Sequence, residues 1–182
     1  MSRDHNPVWN VYDLYRTARL NAKYYSALLH QAERRNFWLE FILLCTAPTS
    51  AVAGLWFWDT ELGKNLWQYL GVIAALAAIL KPLLSLPKKM KNYESLISGY
   101  KMLEHDLHEI QILITEKKKY DKTAQVDFKK ALKRKGVLVG KEIDAKENKA
   151  IKQRCEKETI SELPSNSFYI PKEENNDKAT KT

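Results

Sequence analysis

Two apolar runs, residues 37–58 and 66–86, interrupt a chain that is otherwise dense in Lys, Arg, Asp and Glu. A run that long and that apolar has few fates in a 182-residue chain. As a helix, 37–58 measures about 33 Å against a hydrocarbon thickness of about 30 Å, so it fits a bilayer with little tilt. Phe37 and Trp38 stand at one end and Trp56, Phe57 and Trp58 at the other, where amphipathic rings mark two interfaces. Residues 66–80 alone reach only about 22 Å, so the second span must continue through Lys81 and Pro82 to Leu86. The mean hydropathy of the whole chain hides both runs, which is why it must be read locally.

The link at 59–65 is too short to hold a domain, so the spans form a hairpin. Arg19, Lys23, Arg34 and Arg35 precede it and Lys88, Lys89, Lys91 and Lys101 follow it, against Lys64 alone in the loop. The positive-inside rule therefore puts both termini in the cytoplasm, with the hairpin in the inner membrane. Lys81 reads first as an anchor that snorkels to the interface, since at mid-bilayer a lysine costs on the order of 3 kcal/mol; a water-filled path is the other reading. Pro48, among Thr46, Thr49 and Ser50, is a candidate kink. Ser50 with Gly54, Gly71 with Ala75 and Ala74 with Ala78 are spaced to let helices approach closely, and the other half of the hairpin is the expected partner.

Val8, Val11, Tyr15, Ala18, Ala22, Tyr25, Leu29 and Ala32 alternate spacings of three and four, the seam of a long helix that Pro7 suits at its first turn. Tyr93, Leu96, Tyr100, Leu103, Leu107, Ile110 and Ile114 repeat the pattern after the hairpin. The expected architecture is thus all-α: a two-span transmembrane hairpin continuing into a long antiparallel cytoplasmic coiled-coil stalk. Tyr100, Leu103, Leu107 and Ile110 are the expected oligomer seam, because two helices alone leave apolar surface uncovered. The tyrosines read as packing rather than a ligand platform. His105 and His108, beside Glu104 and Glu109, read as a solvated face rather than a metal site, lacking a third strong ligand.

The parts are then 1–36, an N-terminal cytoplasmic helix; the spans and loop; 87–118, a return helix; 119–163, a basic region; and 164–182, a tail expected to be disordered. Residues 116–154 hold fourteen Lys or Arg against six Asp or Glu, a net +8 that equals the formal charge of the whole chain. Lys129, Lys130, Lys133, Arg134 and Lys135 are the candidate contacts for a ligand or partner, and charge alone does not choose among anionic lipid, RNA, DNA and a nucleotide messenger. Gly136 to Gly140 encloses a short apolar stretch expected as a strand or helix break, with a charged helix after it over 141–163. Cys45 and Cys155 fall in different regions and imply no disulfide. No phosphate loop, nucleophile elbow or zinc spacing is present, so neither an enzyme nor a cofactor is expected.

The helix from Ala18 to Ala27 (Ala-Arg-Leu-Asn-Ala-Lys-Tyr-Tyr-Ser-Ala), the tight hairpin, and Gly99-Tyr100-Lys-Met-Leu103 on the return helix together resemble the SLATT family over roughly residues 15–115. The resemblance implies a small two-span bacterial protein that accompanies a nucleotide-second-messenger synthase or a reverse transcriptase and supplies the membrane-damaging effector of an anti-phage system. It carries over no catalytic residue and does not reach past Lys117. On this reading the chain forms homo-oligomers in the bilayer and permeabilises it when an infection signal engages the cytoplasmic part. The competing reading is a non-enzymatic membrane tether or scaffold whose basic C-terminal region binds nucleic acid, a nucleotide messenger or a partner protein.

Overall fold

The computed structural model describes residues 6–46, 60–142 and 147–171. Five helices make up nearly all of them: α1 (Val8–Thr46), α2 (Glu61–Leu84), α3 (Leu86–Lys117), α4 (Lys122–Val139) and α5 (Lys149–Glu162), followed by a 3₁₀ turn at Ser165–Ser167. There is no strand among the described residues. The chain divides into two compact units, one of residues 1–26 with 95–182 and the other of residues 27–94.

In the first unit the two apolar seams form the core. Leu96, Tyr100, Leu103, Leu107 and Ile114 are wholly enclosed, as are Val11 and Ala18 opposite them. Tyr15 stacks on His108, Arg19 Nη1 meets Glu104 at 3.2 Å, and Tyr25 stacks on Tyr100. Those pairs run in opposite chain directions, so α1 and α3 are antiparallel here. The buried stripe on α1 is wider than one seam, taking in Tyr12, Leu14 and Tyr24. A helix covered on one side needs only a narrow stripe; α1 is covered on two. Its second neighbour is α5, held by Lys23 and Arg19 on Glu162 at 2.5 and 2.7 Å and by Arg16 on the Leu163 carbonyl at the end of the helix.

Against α3 lies α4, which buries Ala124, Ala131 and Leu138, one residue every two turns. The two alanines let the helices approach, and at Gly99 the approach leaves no room for a side chain. A Cβ there would sit 2.3 Å from Leu138 Cδ2. The N-terminus of α4 is capped by Asp121, whose carboxylate accepts from Ala124 N at 3.0 Å and pairs with Lys117 at 2.8 Å. These two contacts hold its pKa below the ordinary carboxylate range, the backbone hydrogen bond foremost.

Several expectations change. The stretch from Gly136 to Val139 is neither strand nor break but the last turn of α4, because Leu138 packs on Gly99 and that contact outweighs the glycine's weak helix propensity. The helix expected from 141 begins at Lys149, where Asn148 accepts from Ile151 N as its cap. The segment from Pro164, expected to be disordered, is ordered through Pro171. Phe168 is buried, stacked on Tyr12 at 4.2 Å with the Arg16 guanidinium 4.9 Å from its ring centre. The Tyr12 hydroxyl donates to the Tyr169 carbonyl at 2.5 Å, and the Asn6 amide reaches the Pro171 carbonyl at 3.4 Å.

In the second unit, α2 starts at Glu61 within the expected loop, since Thr60 accepts from Gly63 N at 3.1 Å and caps it. It ends at Leu84. Pro82 interrupts the last turn, Ser85 takes the left-handed conformation at φ 46°, and Pro87 stands in the first turn of α3. The second span expected at 66–86 is therefore broken at Ser85. Among the described residues no single helix is long and apolar enough to cross a membrane, whereas Gln68–Leu84 with Leu86–Lys117 meets the length and composition together, bent by 40°.

Candidate functional site

α2 carries more exposed large apolar side chains than any other helix among the described residues. Tyr69, Val72, Ile73, Leu76, Ile79 and Leu83 all stand open. Ala77 is buried and Leu70, Ala74 and Lys81 are half-covered, and these four fall on one line of the helix at spacings of four, three and four. Gly71, Ala75 and Ala78 lie on the open side, with nothing within 4 Å of a Cβ at Gly71. Of the small residues expected to meet the other half of the hairpin, Ala74 is thus on the covered line and Gly71, Ala75 and Ala78 are not.

On α1 the same unit exposes Phe37, Trp38 and Phe41, whose rings contact one another at 5.8 to 6.1 Å. One turn further, Glu40 meets Lys81 of α2 at 3.4 Å. Neither run by itself predicts this pairing, because nothing in the sequence sets the register between them. Lys81 is therefore an ion-pair partner of Glu40. Pro48, Ser50, Gly54 and Trp56 to Trp58 lie outside the described residues, as does Asp59 of the loop.

The basic cluster on α4 is brought onto one helix but not into one site. Lys130 pairs with Asp127 at 2.9 Å, and Arg134 pairs with Asp106 of α3. Lys129 and Lys133 are exposed on a different line, and Lys135 is half-buried. Lys122, overlooked in the sequence, joins Lys129 and Lys133 at helical spacing.

Tyr100, Leu103, Leu107 and Ile110, expected at a seam between chains, are 0 to 2 % exposed within a single chain. Their apolar surface is spent on α1 and leaves nothing for a second copy without opening the unit. Tyr100 also donates to Glu142 at 2.8 Å, and Asn148 N donates to the Tyr24 hydroxyl at 2.9 Å. Tyrosines of the core thus hold the end of α4 and the start of α5. Burial, with the nearby Glu142 carboxylate, pushes the Tyr25 and Tyr100 phenols up from their ordinary range. His105 pairs with Glu109 at 3.3 Å on the surface, and no group of three metal-ligating side chains occurs among the described residues.

Cys155 is buried between helices and Thr159 donates to its carbonyl at 2.8 Å; burial raises its thiol pKa, so it is a poor nucleophile. Cys45 is exposed. No protein-family model, curated protein or solved structure matches the chain.

Proposed function

We propose that the chain is a two-span protein of a bacterial inner membrane, with both flanks in the cytoplasm, and that it is the membrane-damaging effector of an anti-phage system. In this reading it oligomerises and permeabilises the bilayer when an infection signal or partner engages the part outside the membrane. The observation that carries the membrane half is the open apolar circumference of α2. A helix in water turns its apolar arc inward, but this one covers a single line and leaves leucines, isoleucines and valines outside. The seams of α1 and α3, which never lose their three-four spacing, support a coiled-coil stalk. The effector half draws on the likeness to the SLATT family. Gly71, Ala75 and Ala78, open on α2, supply a face on which copies could pack closely.

Membranes from expressing cells, extracted at alkaline pH, should retain the protein; release into the supernatant would sink the reading at its root. Cells carrying the chain with its neighbouring genes should lose membrane potential, read with a voltage dye, after phage challenge. Gly71→Leu should abolish that loss and the cross-linked oligomer together. Retention in the membrane with no depolarisation would favour the tether.

A further inference from the structure

The outward line of α4 runs Lys122, Val126, Lys129, Lys133, Val137, with spacings of four, three, four and four. All five are exposed, Val126 by 52 % and Val137 by 61 %, and Leu132 stands open on the flank. Among the described residues, four carboxylates at or beside this helix are engaged away from that line. Asp121 caps the N-terminus and binds Lys117, Asp127 binds Lys130, Asp106 binds Arg134, and Glu142 accepts from Tyr100. What remains outward is three lysines and two valines on one line, on a helix whose other face buries Ala124, Ala131 and Leu138.

We propose that this face of α4 docks on an anionic phospholipid surface. The lysines would reach headgroup phosphates along their flexible stems, while Val126, Leu132 and Val137 enter the acyl boundary beneath. A nucleic acid would use the same charge, but a single strand gains from aromatic platforms, and this face has none. Exposed aliphatics contribute nothing to a phosphate backbone and do contribute to a lipid boundary. The inference goes beyond the effector reading and does not need the hairpin to be inserted.

The test uses the full chain in phosphatidylcholine nanodiscs, with Val137→Cys labelled by a polarity-sensitive dye and Cys45→Ser removing the other accessible thiol. Vesicles of phosphatidylcholine with phosphatidylglycerol should shift the dye to the blue, and added salt should reverse the shift. Vesicles of phosphatidylcholine alone should not. Changing Lys122, Lys129 and Lys133 to Gln should weaken vesicle binding about 100-fold, the combined effect of three lysines at an anionic surface, while Lys130→Gln leaves it unchanged; circular dichroism should report the same helix content in both. No shift with phosphatidylglycerol, equal binding by the triple variant, or a shift with single-stranded RNA in place of lipid would each overturn the proposal. Alkaline extraction reports separately on the hairpin, so a protein that leaves the membrane yet binds anionic vesicles would refute the effector reading and keep this one.

Discussion

Glu40 and Lys81 show how one contact changes the meaning of two charges. Half-exposed in water, such a pair would add less than about 1 kcal/mol, but at the edge of an apolar layer each partner relieves the other of an unpaired charge. Lys81→Leu should therefore reduce the membrane-integrated fraction rather than raise it, because Glu40 is left alone, at a cost of up to about 3 kcal/mol. Exchanging the two, Glu40→Lys with Lys81→Glu, should restore integration, and a double-mutant cycle on the extracted fraction reads the coupling. Tyr12 makes a second test at this scale. Burial, and then Tyr169, push its phenol from 10.0 up to about 12. The folded state holds that proton more tightly than the unfolded chain, so the stability it adds is complete below pH 10 and is lost as pH rises through about 12. Tyrosinate absorbance should lag behind that of free tyrosine in this interval and appear together with loss of helix.

At the scale of elements, the C-terminal segment is the clearest case of structure that the sequence concealed. Pro164 to Pro171 has no periodicity and sits in a polar context, so it reads as disordered; what orders it is a groove on α1 made by Tyr12 and Arg16, residues outside the seam that periodicity picks out. Phe168→Ala should cost about 3 kcal/mol in denaturant unfolding of the detergent-solubilised chain and open the bond after Leu163 to limited proteolysis. Unchanged stability would mean that the segment merely rests on α1. Both seams were legible because their apolar spacing is regular, and all seven positions on α3 are buried. That the two seams face each other was expected; that they leave no apolar surface for a second copy was not. Leu103 and Leu107 serve the inside of one chain, so Leu103→Asp should unfold the first unit, and loss of oligomers in that variant would say nothing about assembly. The basic cluster was legible as composition only, since the sequence does not announce that Asp106 on another helix neutralises Arg134.

For the molecule as a whole, topology is the first quantity to fix. Cys155 cannot report it, being buried, and Thr60 should be left alone because it caps α2. Glu156→Cys and Glu61→Cys place thiols on exposed positions instead. An impermeant reagent should label Glu61→Cys in intact spheroplasts and Glu156→Cys only after lysis; the reverse would place the first unit outside the cell. The make-up of that unit also bears on how the protein is made. Its core joins residues 8–26 to residues 95–171, with Asn6 touching Pro171, so α1 is synthesised well before the partners that cover it. At roughly 5–20 residues per second, Val8, Tyr12 and Ala18 wait on the order of ten seconds for their cover. The apolar runs at 37–58 and 66–86 emerge within that delay. On the two-span reading proposed above, translation order therefore commits the apolar runs before the core of the first unit can close.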